Sequence, residues 1–237
     1  MDYPNVLLFG NKNSGKTTQA KEIQKHFPEY TKVSLADPLR MMVAEFIAAQ
    51  IRYQVEDINL LVSAEQVYDY LYTEPNYSAL KKQPKIPLSD IVVAYSKQGQ
   101  ELPADLDIDY PMGLRKLLEV MGTDCVRNTL GENTWVSGLY NQVHNRSLAP
   151  IVIDDGRFRN EITYLRNKWG SNLCVVFFDY PYSDDPTAES EQCQYHFAAG
   201  HYEYLYDTVV HACSDKHTIT KQITSAIWRK NCGKGYR

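Results

Sequence analysis

Residues 10–17 have the sequence Gly10-Asn11-Lys12-Asn13-Ser14-Gly15-Lys16-Thr17, directly after the apolar run Val6-Leu7-Leu8-Phe9. They match every fixed position of the pattern G-x-x-x-x-G-K-[ST]. Where an apolar strand precedes this pattern and a helix follows it, the backbone N–H groups and the helix N terminus converge on a phosphate group. The stretch therefore predicts a strand, a phosphate-binding loop and a helix, which is the start of a nucleotide-binding α/β fold.

The chemistry of such a loop assigns a role to its last residues. Lys16 is expected to reach the β- and γ-phosphates, and the hydroxyl of Thr17 is placed to ligate Mg²⁺. The predicted ATP-binding residues are Gly10, Lys12, Asn13, Ser14, Gly15, Lys16, Thr17 and Thr18. The alternative is an ordinary turn between a strand and a helix, in which Lys16 and Thr17 are solvated.

Length and charge limit what the chain can be. Its 237 residues suit one α/β domain with an inserted segment. The formal net charge of −4 argues against a surface for nucleic acid or anionic membrane, so phosphate binding must depend on a few placed cations. No apolar run reaches membrane-spanning length, residues 1–9 do not resemble a signal peptide, and the five widely spaced cysteines fit reduced thiols. We therefore expect a cytoplasmic protein.

The apolar pattern predicts strands that alternate with helices, and hence a doubly wound parallel sheet of about five strands. Helices are predicted over 16–27, from Asp37-Pro38 onward and over 217–230, and later strands over 33–35, 151–153, 173–178 and 208–211. A stripe of leucines from Leu114 is predicted to end at Gly122, after which Thr123 would cap a turn from Asp124.

The pattern loosens over residues 52–110, which are rich in tyrosine and contain four prolines. We predict an inserted substrate-binding segment that covers the sheet edge, with a helix over 64–72 and a strand over 91–95. Its tyrosines either stack on a base or are partly buried surface aromatics. A lid-like connection is predicted over 179–204, and residues 1–237 are predicted to form a single kinase domain.

The end of the strand at 151–153 helps to separate classes of nucleotide-binding protein. It continues as Asp154-Asp155-Gly156-Arg157, without the Asp-Glu pair typical of ATP-driven motors, and the chain has no N/T-K-x-D guanine motif. The class that remains is an enzyme that transfers a phosphoryl group to a bound acceptor. This reaction depends on positioning and charge neutralisation. Arg157 would lie at the ligand edge of the sheet and could grip phosphate; the alternative is a salt bridge to Asp154 or Glu161.

Five segments carry a resemblance to a known family. They are Gly10 to Thr17, Leu35-Ala36-Asp37-Pro38-Leu39-Arg40, Arg115 to Asp124, Trp135-Val136, and Asp155-Gly156-Arg157-Phe158-Arg159-Asn160-Glu161. In order and approximate spacing they resemble the phage deoxynucleoside monophosphate kinases, and more distantly the animal-type phosphomevalonate kinases. The resemblance spans most of the chain but is thin over residues 52–110.

The resemblance implies a nucleoside monophosphate kinase fold and the ATP- and Mg²⁺-dependent conversion of a deoxynucleoside monophosphate into the diphosphate. A phage-encoded protein would act in the host cytoplasm. The implied acceptor-binding residues are Leu39, Arg40, Arg115, Thr123, Asp124, Trp135, Arg157 and Glu161, with Glu161 orienting Arg157 or the acceptor.

Other roles are predicted from the residues themselves. Lys16, Arg157, Arg127 and Asp155 are the predicted catalytic residues, and Thr17 with Asp155, or Asp154 in its place, would serve the metal. Arg115 could equally lie on a solvated helix face, and Trp135 could simply fill core.

Two departures from the family matter. Many members have Lys-Asp where this chain has Lys16-Thr17, the ordinary Mg²⁺-ligating form. The predicted lid contains no lysine or arginine, so the transferring group must be neutralised by Arg157, Arg159, Arg127 or Lys12.

Two rival functions stay open, namely a kinase for another small phosphorylated acceptor, such as phosphomevalonate, and a regulatory nucleotide-binding module without transfer activity. Small nucleotides are the expected partners, rather than nucleic acid or membrane, and the sequence leaves open whether the chain forms a homodimer.

Overall fold

A computed structural model describes residues 3–11, 13–55, 62–95, 108–148, 150–179, 203–211 and 214–232. Contacts divide the chain into two compact units. The sheet unit consists of Met1–Ala36 and Asn133–Arg237, and the helical unit consists of Asp37–Glu132. The boundaries of the helical unit lie outside those of the predicted insertion, residues 52–110, on both sides.

Five parallel strands form the sheet of the sheet unit, in the order β2-β5-β1-β6-β7. They are β1 (Asn5–Gly10), β2 (Thr31–Val33), β5 (Ile151–Gly156), β6 (Leu173–Asp179) and β7 (Thr208–His211). The predicted parallel α/β sheet of about five strands is confirmed. Two short antiparallel strands, β3 (Ile86–Pro87) and β4 (Asp109–Tyr110), belong to the helical unit.

Helices fill the connections. In chain order they are α1 (Lys16–His26), α2 (Asp37–Gln54), α3 (Ala64–Tyr72), α4 (Asn76–Leu80), α5 (Leu88–Tyr95), α6 (Leu114–Glu119), a π-helical segment (Val120–Arg127), α7 (Asn128–Leu130), α8 (Thr134–Asn145), α9 (Arg159–Trp169) and α10 (Lys216–Cys232). None of those in the described part of the chain is both long and apolar enough to cross a membrane.

The sheet has a buried apolar layer on each face because β1 alternates its side chains across the pleat. Leu7 and Phe9 pack with residues of α8 and α9, whereas Val6 and Leu8 pack with residues of α1 and α10. The sheet is therefore doubly wound, and β1, which ends in the predicted phosphate loop, is its central strand.

The helical unit has a core of its own, to which the predicted insertion contributes. Val67 and Leu71 of α3 are fully buried in the same cluster as Ile47 of α2 and Leu114 of α6. The predicted helix over 64–72 is confirmed, and its first turn is held by a reciprocal pair of hydrogen bonds between Ser63 and Gln66. Part of the tyrosine-rich segment therefore contributes to the core of the helical unit.

The strand predicted over 91–95 is wrong, because α5 covers Leu88–Tyr95. Its buried residues Leu88, Ile91 and Val92 have the i, i+3, i+4 spacing of a helix that packs on one face. A short apolar run does not by itself distinguish a strand from a buried helix.

The helix end predicted at Gly122 is also wrong. The chain stays helical from Leu114 to Leu130, with the π-helical segment in the middle. A Cβ on Gly122 would lie 2.7 Å from Cδ2 of Leu39, so the glycine makes room for a side chain of α2. Close packing, and not a helix stop, accounts for this glycine.

Candidate active site

At the end of β1 and in the loop before α1, three of the described residues have positive φ, namely Gly10 (150°), Asn13 (63°) and Gly15 (89°). Gly10 has a second constraint, because a Cβ there would lie 2.8 Å from both Cβ and the carbonyl oxygen of Phe178. A Cβ on Gly15 would meet no atom of the described residues within 4 Å, so these residues leave space beside it. The loop thus has the backbone course and the room that phosphate binding requires.

Helix α1 begins with unsatisfied donors. Gly15 is its N-cap residue, in the left-handed conformation, and within the described residues no side chain caps the helix. The first N–H groups of a helix have no partner inside it and carry a partial positive charge. This N terminus is therefore suited to an anion.

Lys16 is folded back into the loop. Its side chain is almost fully buried, and Nζ donates hydrogen bonds to the carbonyl oxygens of Gly10, at 2.7 Å, and Asn11, and to Oγ of Ser14, at 3.2 Å. Burial lowers the pKa of Lys16 from 10.5 to about 8. The loop therefore holds a poorly solvated cation, for which an anionic ligand would be a better partner.

Charged side chains at the end of β5 and just after it affect the pKa of Lys16. The nearby guanidinium of Arg157 contributes to this lowering of the pKa of Lys16, whereas the carboxylates of Asp155, Asp154 and Glu161 oppose it. These five predicted site residues, which are up to 145 positions apart in the chain, are thus within electrostatic reach of one another.

Asp155 is tied to the connection between β2 and α2. Its carboxylate accepts hydrogen bonds from the hydroxyl of Ser34, from the backbone N–H of Leu35 at 2.7 Å and from that of Ala36 at 3.1 Å. These bonds explain why β2 ends at Val33 and not at Leu35 as predicted, since the side chain of Ser34 and the N–H groups of Leu35 and Ala36 donate to a carboxylate.

Asp154 has a different environment. It is buried, and its Oδ2 lies 3.3 Å from Nζ of Lys32 on the neighbouring strand β2. The two adjacent carboxylates of β5 are therefore held by two different sets of donors, both from the chain around β2. Sequence reasoning missed Ser34 and Lys32, and no motif marks them.

Glu161 fixes the backbone at Arg157. Its Oε2 accepts from the N–H of Arg157 at 2.7 Å and from the N–H of Phe158 at 2.9 Å. The carboxylate caps the start of α9 and sets the course of the chain at Arg157. Next to it, Arg159 donates to the hydroxyl of Tyr204 at 3.1 Å.

In the helical unit, Arg40 lies among aromatic side chains. It pairs with Asp37 at 2.9 Å, and its guanidinium lies 5.8 Å from the ring centre of Tyr72 and 5.9 Å from that of Tyr77. The hydroxyl of Tyr68 lies 3.4 Å from the same oxygen of Asp37. The i, i+4 spacing of Tyr68 and Tyr72 on one helix is the sequence signal that could have indicated this cluster.

The other predicted acceptor residues have varied settings. Leu39 packs over Gly122 at the π-helical segment, and Thr123 and Asp124 are exposed on that segment. Segments of π-helix are rare and often lie at functional sites. Arg115 is exposed and pairs with Glu119 at 3.2 Å, the solvated arrangement that was the alternative to a ligand contact.

Two further candidates are half-buried, Arg127 at the end of the π-helical segment and Trp135 in the first turn of α8. The N terminus of α8 is linked to that of α9, because Nδ2 of Asn160 donates to Oδ1 of Asn133 at 3.1 Å. Lys12 lies outside the described residues, as does the predicted lid except for its two ends, Asp179 and residues 203–204.

Comparisons with known proteins leave the family of this chain open. No protein-family model and no curated protein sequence matches it. Among solved structures, a dephospho-CoA kinase from Campylobacter jejuni is similar, with 11% identity, a TM-score of 0.43 and coverage of 97% of this chain and 98% of that chain.

Two further kinases match along nearly the whole chain. For a gluconokinase from Sinorhizobium meliloti the identity is 12%, the TM-score 0.41 and the coverage 100% of both chains. For a shikimate kinase from Aquifex aeolicus the identity is 11%, the TM-score 0.38, and the coverage 97% of this chain and 99% of that chain. At such values the reaction must be argued from the residues of the site.

Proposed function

We propose that this protein transfers the γ-phosphoryl group of ATP to a deoxynucleoside monophosphate and releases ADP. The observation that carries the proposal is the setting of Lys16, a buried cation in a phosphate-binding loop with the charge of Arg157 close by. Burial and a second positive charge nearby both make the ammonium form of Lys16 costly, and a bound anion would offset this cost. The acceptor class is inferred from the resemblance described above.

The donor side consists of the loop and α1. Backbone N–H groups from Gly15 onward and the ammonium group of Lys16 would hold the β- and γ-phosphates of ATP. Anion binding would draw Lys16 Nζ away from the carbonyl oxygens of Gly10 and Asn11 toward phosphate oxygens.

A divalent cation is part of the proposal. Thr17 is exposed at the N terminus of α1, and its hydroxyl would be a ligand for Mg²⁺ beside the bound phosphates. Both oxygens of Asp155 already accept hydrogen bonds, so either Asp155 or Asp154 would act on the water molecules of the metal rather than on the metal itself. When bound, Mg²⁺ would neutralise charge on the phosphates.

The transfer step needs positioning and charge more than covalent help. An oxygen of the acceptor phosphate forms the new bond to the γ-phosphorus, the bond from that phosphorus to the bridging oxygen breaks, and the electron pair leaves with ADP. Arg157, whose backbone is fixed by Glu161, would stabilise the charge on the migrating group. Arg157 would thus take the role of lid arginines, which the predicted lid over 179–204 lacks.

A coupled assay of ADP release tests the proposal. Each deoxy- and ribonucleoside monophosphate is offered with ATP and Mg²⁺, and Lys16→Ala is the control for contaminating activity. We expect ADP release that depends on a deoxynucleoside monophosphate and falls by about a hundredfold or more in Lys16→Ala, because the lost cation is a preorganised donor.

The rivals predict other results. Turnover only with phosphomevalonate or another small phosphorylated acceptor would replace the proposed acceptor class. ATP binding without acceptor-dependent ADP release would indicate the regulatory module. A folded Lys16→Ala variant that keeps more than about a tenth of the wild-type kcat would contradict the role of the loop.

A further inference from the structure

Three tyrosines surround Arg40 in the helical unit, and we call Tyr68, Tyr72 and Tyr77 the tyrosine cluster. The ring centre of Tyr72 is 5.0 Å from that of Tyr68 and 5.6 Å from that of Tyr77. The guanidinium of Arg40 lies within 6 Å of two of the three rings. Rings and cation thus form one contiguous group on α2, α3 and α4.

The hydroxyl of Tyr72 stands out in this group. Its oxygen is buried and has no hydrogen-bond partner, and no other buried side-chain nitrogen or oxygen in the described residues lacks one. Burial raises the pKa of Tyr72 well above its usual range, although the charge of Arg40 opposes this shift. The hydroxyl is therefore protonated at any ordinary pH and can act as a donor.

A buried donor without an acceptor destabilises a protein, so such a group calls for an explanation. The hydroxyl of Tyr68 does not provide one, because it is directed to Asp37. What the setting offers a ligand is a neutral O–H donor next to a guanidinium. Both groups suit an anion whose oxygens accept hydrogen bonds, and a phosphate monoester has this chemistry.

We propose that Tyr72 is a specificity-determining residue that donates a hydrogen bond from its hydroxyl to the phosphate group of the acceptor, beside Arg40. This inference deepens the proposed function, on which it rests for the identity of the ligand as the acceptor monophosphate. The tyrosine rings on either side of Tyr72 hold its hydroxyl in place, and Arg40 supplies the positive charge.

The variant Tyr72→Phe removes the hydroxyl and keeps the ring. Because the hydroxyl has no partner in the protein, its loss should leave the melting temperature unchanged or raise it. We expect the KM for the acceptor to rise about tenfold or more, since a hydrogen bond to a charged group is lost, whereas the KM for ATP stays the same. Tyr70→Phe, two positions earlier on α3, is the matched control and should change neither constant.

Direct binding separates this inference from the proposed function. Calorimetric titration of wild type and Tyr72→Phe uses the deoxynucleoside monophosphates as probes, with the corresponding uncharged nucleosides for comparison. Weaker binding of the monophosphate alone supports the inference, even if no acceptor is turned over and the proposed function fails. Unchanged monophosphate affinity in Tyr72→Phe overturns the inference, even if the kinase activity is confirmed, and would assign the hydroxyl to a bound water molecule. An equal loss of nucleoside and monophosphate affinity also overturns it.

Discussion

At the residue scale, Lys16 shows how burial and neighbouring charges change the properties of a single side chain. Its ammonium group is buried and donates to two backbone carbonyls, which hold the charge less well than phosphate would. The pKa of Lys16 is consequently lowered to about 8, first by desolvation and then by Arg157. Binding of a nucleotide should offset both effects, because phosphate oxygens favour the charged form.

The first prediction concerns proton uptake. At pH 8 about half of the free protein has a neutral Lys16, and bound phosphate should restore the proton, so nucleotide affinity should fall as the pH rises from about 7 toward 10.5 and be nearly flat below about 7. At pH 8.5 we expect uptake of about 0.7 proton for each MgADP bound. Calorimetry in two buffers of different ionisation enthalpy measures this number.

Lys16→Arg is the control for this measurement, because arginine stays protonated over the whole range. Its proton uptake on binding MgADP should be close to zero. Equal uptake by the wild type and Lys16→Arg would show that another group takes up the proton.

The second prediction concerns Arg157. An arginine that stabilises the migrating phosphoryl group contributes about 10³ to 10⁵ in kcat, so Arg157→Ala should lose at least about a thousandfold. Single-turnover transfer with saturating ATP and acceptor measures the chemical step apart from binding.

Arg159→Ala is the matched control for Arg157→Ala, because Arg159 is two positions away and donates to Tyr204. We expect a much smaller loss for it. If Arg157→Ala transfers phosphate at nearly the wild-type rate, then the central step proposed here is wrong and the role passes to Arg159 or Arg127.

At the scale of elements, two glycines determine how closely segments of the helical unit pack against each other. Gly113 is the N-cap residue of α6, and a Cβ there would lie 2.2 Å from the backbone oxygen of Gln83. The three atoms nearest to a Cβ on Gly122 all belong to the end of the Leu39 side chain. Backbone atoms cannot move aside as a side-chain methyl can. An added Cβ should therefore destabilise the protein more at Gly113 than at Gly122.

The third prediction compares Gly113→Ala with Gly122→Ala. The clash at Gly113 should lower the free energy of unfolding by about 1–3 kcal/mol. At Gly122 the higher helix propensity of alanine, worth about 1 kcal/mol, offsets the displacement of Leu39, so the net change should be within about 1 kcal/mol of zero. Urea unfolding of both variants measures the difference. A larger loss at Gly122 than at Gly113 would mean that Leu39 cannot move.

At the scale of the whole molecule, the candidate residues are divided between the two units. The phosphate loop, Asp154, Asp155, Arg157 and Glu161 belong to the sheet unit. Arg40, Arg115 and the tyrosine cluster belong to the helical unit. If the first set serves the donor and the second set the acceptor, substitutions in the helical unit should affect the two substrates unequally.

The fourth prediction follows from this division. Arg40→Ala should raise the KM for the acceptor about tenfold or more and leave the KM for ATP nearly unchanged, because a charged contact to phosphate is lost. Arg115→Ala should act in the same direction but more weakly, since Arg115 is exposed and paired with Glu119. Initial rates with each substrate varied in turn provide both constants. Equal changes in both KM values would mean that Arg40 is structural or belongs to the donor site.

The sequence by itself determined the features that depend on local pattern. The Gly10–Thr17 loop followed from fixed spacing, and the parallel sheet followed from apolar strands that alternate with helices. Helices α1 and α3 and strand β7 lie close to where they were predicted, because their caps and their periodicity are local properties.

Only the tertiary structure decided the features that depend on residues distant in the chain. Residues 91–95 are helical because a second element covers one face of them, and Gly122 does not end its helix because Leu39 packs over it. Asp155 holds Ser34 and the next two backbone N–H groups across more than a hundred positions, which no local pattern could indicate. The lowered pKa of Lys16 and the unpartnered hydroxyl of Tyr72 arise from burial, which exists only once the chain has folded.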